Sequence, residues 1–201
     1  MSSRTSITNA RSQSNKTTKS TRRLGRRTFA GFMGAVAVAA FVAASPALAL
    51  PKVGAARPAV HLIDGWDRDL DMSSFQRPVL LFYEDKDSAG QNDVLKNDLS
   101  DLQKSSNYRK SIAHVVVADT SAYDYWPAKG IAKGELRKWS NKLGIVVYSD
   151  FSANVRTALG LEKGKSNIVL YGANGEVLFA KAETLSPEER SALVDKMKSL
   201  L

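Results

Sequence analysis

Apolar and polar positions along the chain switch between two periods, and the switches mark out its elements. Pro78-Val79-Leu80-Leu81-Phe82-Tyr83 is a continuous apolar run, as is Ile112 to Ala118 apart from His114. Both have strand length and read as strands covered on two faces. Ala59-Val60-His61-Leu62-Ile63, ended by Asp64-Gly65, and Ile145-Val146-Val147-Tyr148 predict two shorter strands. Asn167–Tyr171 and Glu176–Ala180 are joined through Asn174-Gly175, a dipeptide that tolerates the positive φ of a tight hairpin. Between these runs the period lengthens. Val94, Leu95, Leu99 and Leu102 recur at helical spacing in a helix predicted over 89–104. A loop over Thr120–Gly130 precedes a helix that Gly144 stops, and Ser152–Leu159 predicts a short helix ended by Gly160. The last helix opens at Ser186-Pro187-Glu188-Glu189, with Ser186 as N-cap, Pro187 at the first helical position and Glu189 completing a capping box. Helices inserted between buried strands predict an α/β domain. It has a central mostly parallel sheet, a C-terminal antiparallel hairpin and helices on both faces.

The first fifty residues follow a different plan. Residues 1–27 hold eight Lys/Arg and no acid, and Thr28 to Pro51 carries no charge. Arg26-Arg27-Thr28-Phe29 opens a mild Ala/Gly/Val-rich core, Pro46 breaks it, and Ala47-Leu48-Ala49 closes it. A basic region, an apolar core and a small-residue exit make an export signal. The arginine pair with Phe29 resembles a twin-arginine signal, although Gly25 and Ala30 replace the usual flanking residues. Residues 1–49 therefore read as a signal cleaved after Ala49, 50–58 as a linker, and 59–201 as one domain. The expected partner is twin-arginine-type export machinery, and the expected location is periplasmic or otherwise extracytoplasmic. An uncleaved anchor is the alternative, and Pro46 and Ala47-Leu48-Ala49 argue against it. No stable membrane span is expected after cleavage.

Removing this segment changes the electrostatic picture. The whole chain is +9, with 29 Lys/Arg against 20 Asp/Glu. Eight of the bases lie in the signal and every acid follows Ala49, so the mature chain is close to neutral. No basic face remains to suggest nucleic acid. Cysteine is absent. Thiol–disulfide exchange, thiol peroxidase activity and cysteine-ligated zinc are excluded.

A family resemblance rests on two stretches. Arg77-Pro78-Val79-Leu80-Leu81-Phe82, followed by a polar loop and a helix, resembles the first half of a thioredoxin- or peroxiredoxin-like domain. The resemblance implies a cysteine near Asp85–Gly90 in redox members, where this chain has Glu84-Asp85-Lys86-Asp87-Ser88-Ala89-Gly90. It also implies a cis-proline before the closing hairpin, where this chain has Lys165-Ser166-Asn167. The C-terminal half is similar to the YtfJ-type group of periplasmic thioredoxin-like proteins. The matching residues are Ser166-Asn167-Ile168-Val169-Leu170, Asn174-Gly175-Glu176-Val177, Ala180-Lys181 and Leu185-Ser186-Pro187-Glu188-Glu189. The implication is an exported thioredoxin-like domain without a redox pair, and no catalytic residue carries over.

The candidate chemistry is sparse. Glu84, Asp85, Asp87 and Ser88 fall at the carboxyl end of a predicted central strand, where open α/β sheets place ligands. They form a candidate acidic loop for a cation, unless Asp87 or Ser88 merely caps the next helix and the rest are solvated. Asp67, Asp69 and Asp71 alternate as in a calcium loop, but Met72 and Pro78 stand where that loop needs Gly and Glu. They read as a solvated loop. His61 shares a strand face with Ala59 and Ile63, His114 lies among apolar neighbours, and both read as structural. Tyr123, Tyr125 and Trp126 crowd a long loop. They are a candidate interface, unless the rings fold back and cap the sheet. No metal or cofactor is expected. The leading expectation is a non-redox binding module with an unidentified protein partner. The alternatives are an enzyme using the acidic loop, with metal assistance, and an accessory to a periplasmic thiol-redox system.

Overall fold

The computed structural model describes residues 49–201. Arg26, Arg27, Phe29 and Ala47 of the signal motif lie outside these residues. Among the described residues seven strands and five α-helices follow in chain order: β1 (His61–Asp64), β2 (Asp69–Asp71), β3 (Val79–Glu84), α1 (Asp93–Leu102), α2 (Ser106–Ser111), β4 (Ala113–Asp119), α3 (Ala128–Leu143), β5 (Val147–Asp150), α4 (Asn154–Leu159), β6 (Asn167–Tyr171), β7 (Val177–Ala182) and α5 (Pro187–Lys198). The strands form one sheet in the order β2-β1-β5-β4-β3-β6-β7.

β3 is buried along its whole length, and its alternate residues feed two cores. Val79, Leu81 and Tyr83 join Val115, Val117 and Val169 on the face covered by Val155 and Leu159 of α4. Leu80 and Phe82 join Ile168 and Leu170 on the opposite face, under α1, α2 and α5. The period of two in a strand makes this division unavoidable once both faces are covered. α5 has the expected capping box, in which the Glu189 N–H donates to Ser186 Oγ at 3.2 Å and the Ser186 N–H donates to Glu189 Oε2 at 2.9 Å. Gly144 and Gly160 end α3 and α4 in the left-handed region, at φ 66 and 64.

Several expectations need correction. The sheet is mixed rather than mostly parallel: β3–β4 and β4–β5 are parallel, and every other pairing is antiparallel. The parallel part is the centre, where the helical crossovers lie, while β1 enters antiparallel to β5. Asp69–Asp71 is not a solvated loop but the edge strand β2, with Leu70 opposite Leu62. Its two flanking aspartates hid it, because an edge strand needs only one inward apolar side chain. α1 begins at Asp93, four residues later than predicted at 89, and Asn92 is its N-cap, so neither Asp87 nor Ser88 caps it. α2 escaped prediction because Tyr108 is its single buried residue. The strand expected at Ile145–Tyr148 is shifted to Val147–Asp150, and α3 starts at Ala128, inside the predicted loop. Among the described residues no helix is long and apolar enough to cross a membrane.

Candidate functional site

The carboxyl ends of β3, β4 and β5 and the start of β6 lie at one edge of the sheet, because Asp119 pairs with Asp150 and Tyr83 with Asn167. The loops after β3 and β4 therefore bring both candidate sites to this edge.

The acidic loop does not gather its carboxylates. Glu84 is buried; its Oε1 accepts from Ser166 Oγ at 2.6 Å and its Oε2 from Lys96 Nζ at 2.8 Å. Burial pushes the Glu84 carboxyl above its usual range, against the opposing pull of Lys96 and Ser166. Asp85 turns back on its own loop: its Oδ1 accepts from the Asp87 N–H at 3.1 Å, the Ser88 N–H at 2.8 Å and Ser88 Oγ at 2.8 Å. Ser88 is fully buried and Asp87 is exposed. Among the described residues no group of three or more His, Cys, Asp or Glu side chains is placed to hold a metal.

Asn92 connects this loop to the neighbouring segments. Its Nδ2 donates to Ser166 Oγ at 2.9 Å and to the Glu183 carbonyl at 2.8 Å, and its Oδ1 accepts from the Leu185 N–H at 2.9 Å. Ser166 stands where the resemblance implies a cis-proline, facing the loop where it implies a cysteine. Both places are filled by a satisfied polar network, and the Ser166 hydroxyl is closed to solvent. The cis peptide among the described residues is Trp126–Pro127.

A second network underlies the aromatic loop. Asp119 and Asp150 are neighbours on adjacent strands and would repel if left alone. Arg156 of α4 lies between them. Its Nη1 pairs with Asp119 Oδ2 at 2.5 Å, and its backbone N–H donates to Asp150 Oδ2 at 3.0 Å. Tyr83 Oη donates to the same Asp150 oxygen at 3.0 Å. Burial and the two aspartate charges keep this phenol protonated, with its pKa raised. Burial also raises the Asp119 carboxyl, but Ser121, Arg156 and Tyr83 outweigh that and hold it below its usual value. Asp119 Oδ1 then accepts from the Ser121 N–H at 3.0 Å and from Ser121 Oγ at 2.6 Å, which fixes a 3₁₀ turn over Ser121–Tyr123.

That turn delivers the aromatic residues to solvent. Tyr123 is 40 % exposed, Tyr125 62 % and Trp126 91 %. The rings do not fold back over the sheet. Ile131, one turn into α3, is also exposed. The sequence signal for the supporting network, which periodicity alone misses, was an aspartate ending each of two apolar strands.

The histidines are elsewhere. His61 is exposed, and its bond to Asp69 (3.1 Å) raises its pKa. His114 has both ring nitrogens engaged, Nε2 with Tyr108 Oη at 2.7 Å and Nδ1 with Gln103 Nε2 at 3.0 Å. Burial pulls its pKa down to about 4. An unfolded imidazole takes up its proton near pH 6.5, so stability is lost as pH falls from there through the folded value. From about pH 7.5 to about pH 5 the parent should lose about 2 kcal/mol more than His114→Gln in urea titrations. Parallel pH dependence of the two proteins would contradict this.

No family model matches the chain, and no curated protein matches it in sequence. Solved structures do. A thiol peroxidase from Chromobacterium violaceum superimposes with a TM-score of 0.53 at 15 % identity, covering 75 % of this chain and 88 % of that one. A thiol-disulfide oxidoreductase from Bacteroides fragilis gives 0.53 at 19 %, covering 73 % and 100 %. An uncharacterized conserved protein from Geobacillus kaustophilus gives 0.56 at 12 %, covering 74 % and 82 %. At these identities the likeness concerns the fold, and the chain is a thioredoxin-like α/β domain without cysteine.

Proposed function

We propose that this chain is an exported, non-redox interaction module that engages a protein partner through Tyr123, Tyr125 and Trp126. The observation carrying the reading is the 91 % exposure of Trp126 on a loop braced from beneath by the part-buried Asp119–Arg156 ion pair. A large aromatic side chain held in water by a rigid support is the usual anchor of an interface. The edge that would serve thiol chemistry is occupied instead by Glu84, Ser166 and Asn92, whose polar groups satisfy one another. The signal at residues 1–49 supports twin-arginine-type export and an extracytoplasmic location, and the C-terminal likeness to the YtfJ-type group agrees with that location.

The reading is tested by a photo-crosslinking residue placed at position 126, with a second at the exposed Lys198 as control, in the exporting cell. A discrete adduct at 126 and none at 198 is the expected result. Equal labelling at both positions would count against a dedicated surface. Trp126→Ala should change the stability of the isolated domain by less than about 0.5 kcal/mol. It should weaken the captured complex by more than about tenfold.

A further inference from the structure

The segment that precedes β1 is built into the domain rather than tethered to it. Leu50 and Ala55 pack, half-buried, against the core face that α4 covers. The Gly54 N–H donates to the Val177 carbonyl at 2.8 Å, the Val177 N–H to the Ala55 carbonyl at 2.9 Å, and the Arg57 N–H to the Gly175 carbonyl at 2.8 Å. Arg57 Nη2 adds a bond to the Phe75 carbonyl at 2.9 Å. At the other end the Ala49 carbonyl oxygen rests against Gly160, where any Cβ would collide with it. Gly160 thus serves two purposes: it ends α4 at φ 64 and leaves room for the incoming strap.

We propose that this strap, residues 49–57, closes the Ala49–Leu50 bond to a signal peptidase in the folded protein, so that processing waits on local opening of the strap. The inference rests on reading residues 1–49 as a cleaved signal. A protease takes its substrate as an extended, unpaired segment, whereas here the residue after the scissile bond packs half-buried against the core, and Gly54, Ala55 and Arg57 are hydrogen-bonded to the start of β7 and the turn before it. Cleavage of such a bond follows the fraction of molecules in which the segment has opened. In the reaction, water adds across the amide; the C–N bond breaks, Ala49 leaves with the carboxylate, and Leu50 keeps the amine. Leu50 is the first residue of the strap that packs against the core cluster, so the cut removes the signal together with the Ala49 contact at Gly160 and leaves the Leu50 contacts in place.

The test uses the full precursor and a purified signal peptidase in detergent. Precursor refolded beforehand should be cut at least about tenfold more slowly than the same precursor diluted from urea directly into the peptidase. The product of both reactions should have the mass of a chain starting at Leu50. Gly160→Ala, which crowds Ala49 out, should bring the folded rate towards the unfolded one. Since that variant also strains the end of α4, hydrogen exchange on the unvaried precursor provides a second readout: the Gly54 and Arg57 amides should be protected. Equal rates for folded and unfolded precursor, or fast exchange at both amides, would overturn the strap. Failure of the unfolded precursor to be cut between Ala49 and Leu50 would instead overturn the reading of the signal.

Discussion

Replacing Arg156 with methionine should destabilise the domain by about 3–5 kcal/mol, a large share of the stability of a chain this size. The cost comes from what is left behind. The Asp119 side chain is 4 % exposed, and without Arg156 its charge sits beside Asp150 with only Ser121 and Tyr83 to answer it. Removing both charges together, as Asp119→Asn with Arg156→Met, should recover much of the loss, since the two substituted side chains are neutral and close in volume to the originals, and the Arg156 backbone N–H still answers Asp150. Urea unfolding of the two single variants and the double closes the cycle. Additive losses would show that the pair is not coupled. There is also an acid signature. A carboxyl held below its ordinary pKa in the fold contributes stability above its unfolded value of 3.8, and that contribution fades as pH falls through the folded value. With Arg156 gone the Asp119 pKa rises, so acid unfolding should begin at a higher pH.

The second large effect is expected at Asn92. Asn92→Leu keeps the volume but strands the Leu185 N–H and one bond to Ser166, both buried, and the part-buried Glu183 carbonyl. Unsatisfied groups of this kind cost about 1–3 kcal/mol each, and partial relaxation of the exposed side of the loop should leave a net loss of about 2–4 kcal/mol. Hydrogen exchange at Leu185 separates this from a simple packing defect. Its amide should lose protection in Asn92→Leu, whereas a packing defect alone would leave it protected relative to global unfolding. The two predictions divide the site edge between them: Arg156 holds the β4–β5 side under the aromatic loop, and Asn92 holds the β3–β6 side under the acidic loop.

The acidic loop shows why carboxylates adjacent in sequence need not converge in space. Glu84, Asp85 and Asp87 lie within four residues, yet each carboxylate goes its own way: to Lys96 and Ser166, into an Asx turn, and into solvent. Whether neighbouring carboxylates converge depends on backbone turns that no charge pattern encodes. The aromatic loop gave the converse result. Tyr123, Tyr125 and Trp126 could equally have covered the sheet, and the choice was made by Asp119, which holds the Ser121–Tyr123 turn in place.

Periodicity and local chemistry were sufficient, within the sequence itself, for whatever depends on near neighbours. The fully apolar β3 and the capping box of α5 follow from such patterns, because a buried strand needs apolar residues on both faces and a helix start needs its N–H groups answered nearby. The absence of cysteine likewise settled what chemistry is impossible. Tertiary structure alone decided the remainder. β2 has one half-buried leucine between two aspartates, and it becomes a strand only because β1 offers an open edge. Arg156 meets Asp119 across 37 residues and Asn92 meets Leu185 across 93, contacts that close only when the whole sheet has formed. Which polar groups become buried is a property of the packed chain, and that selection separates the networks closed inside this edge from the aromatic surface left to solvent.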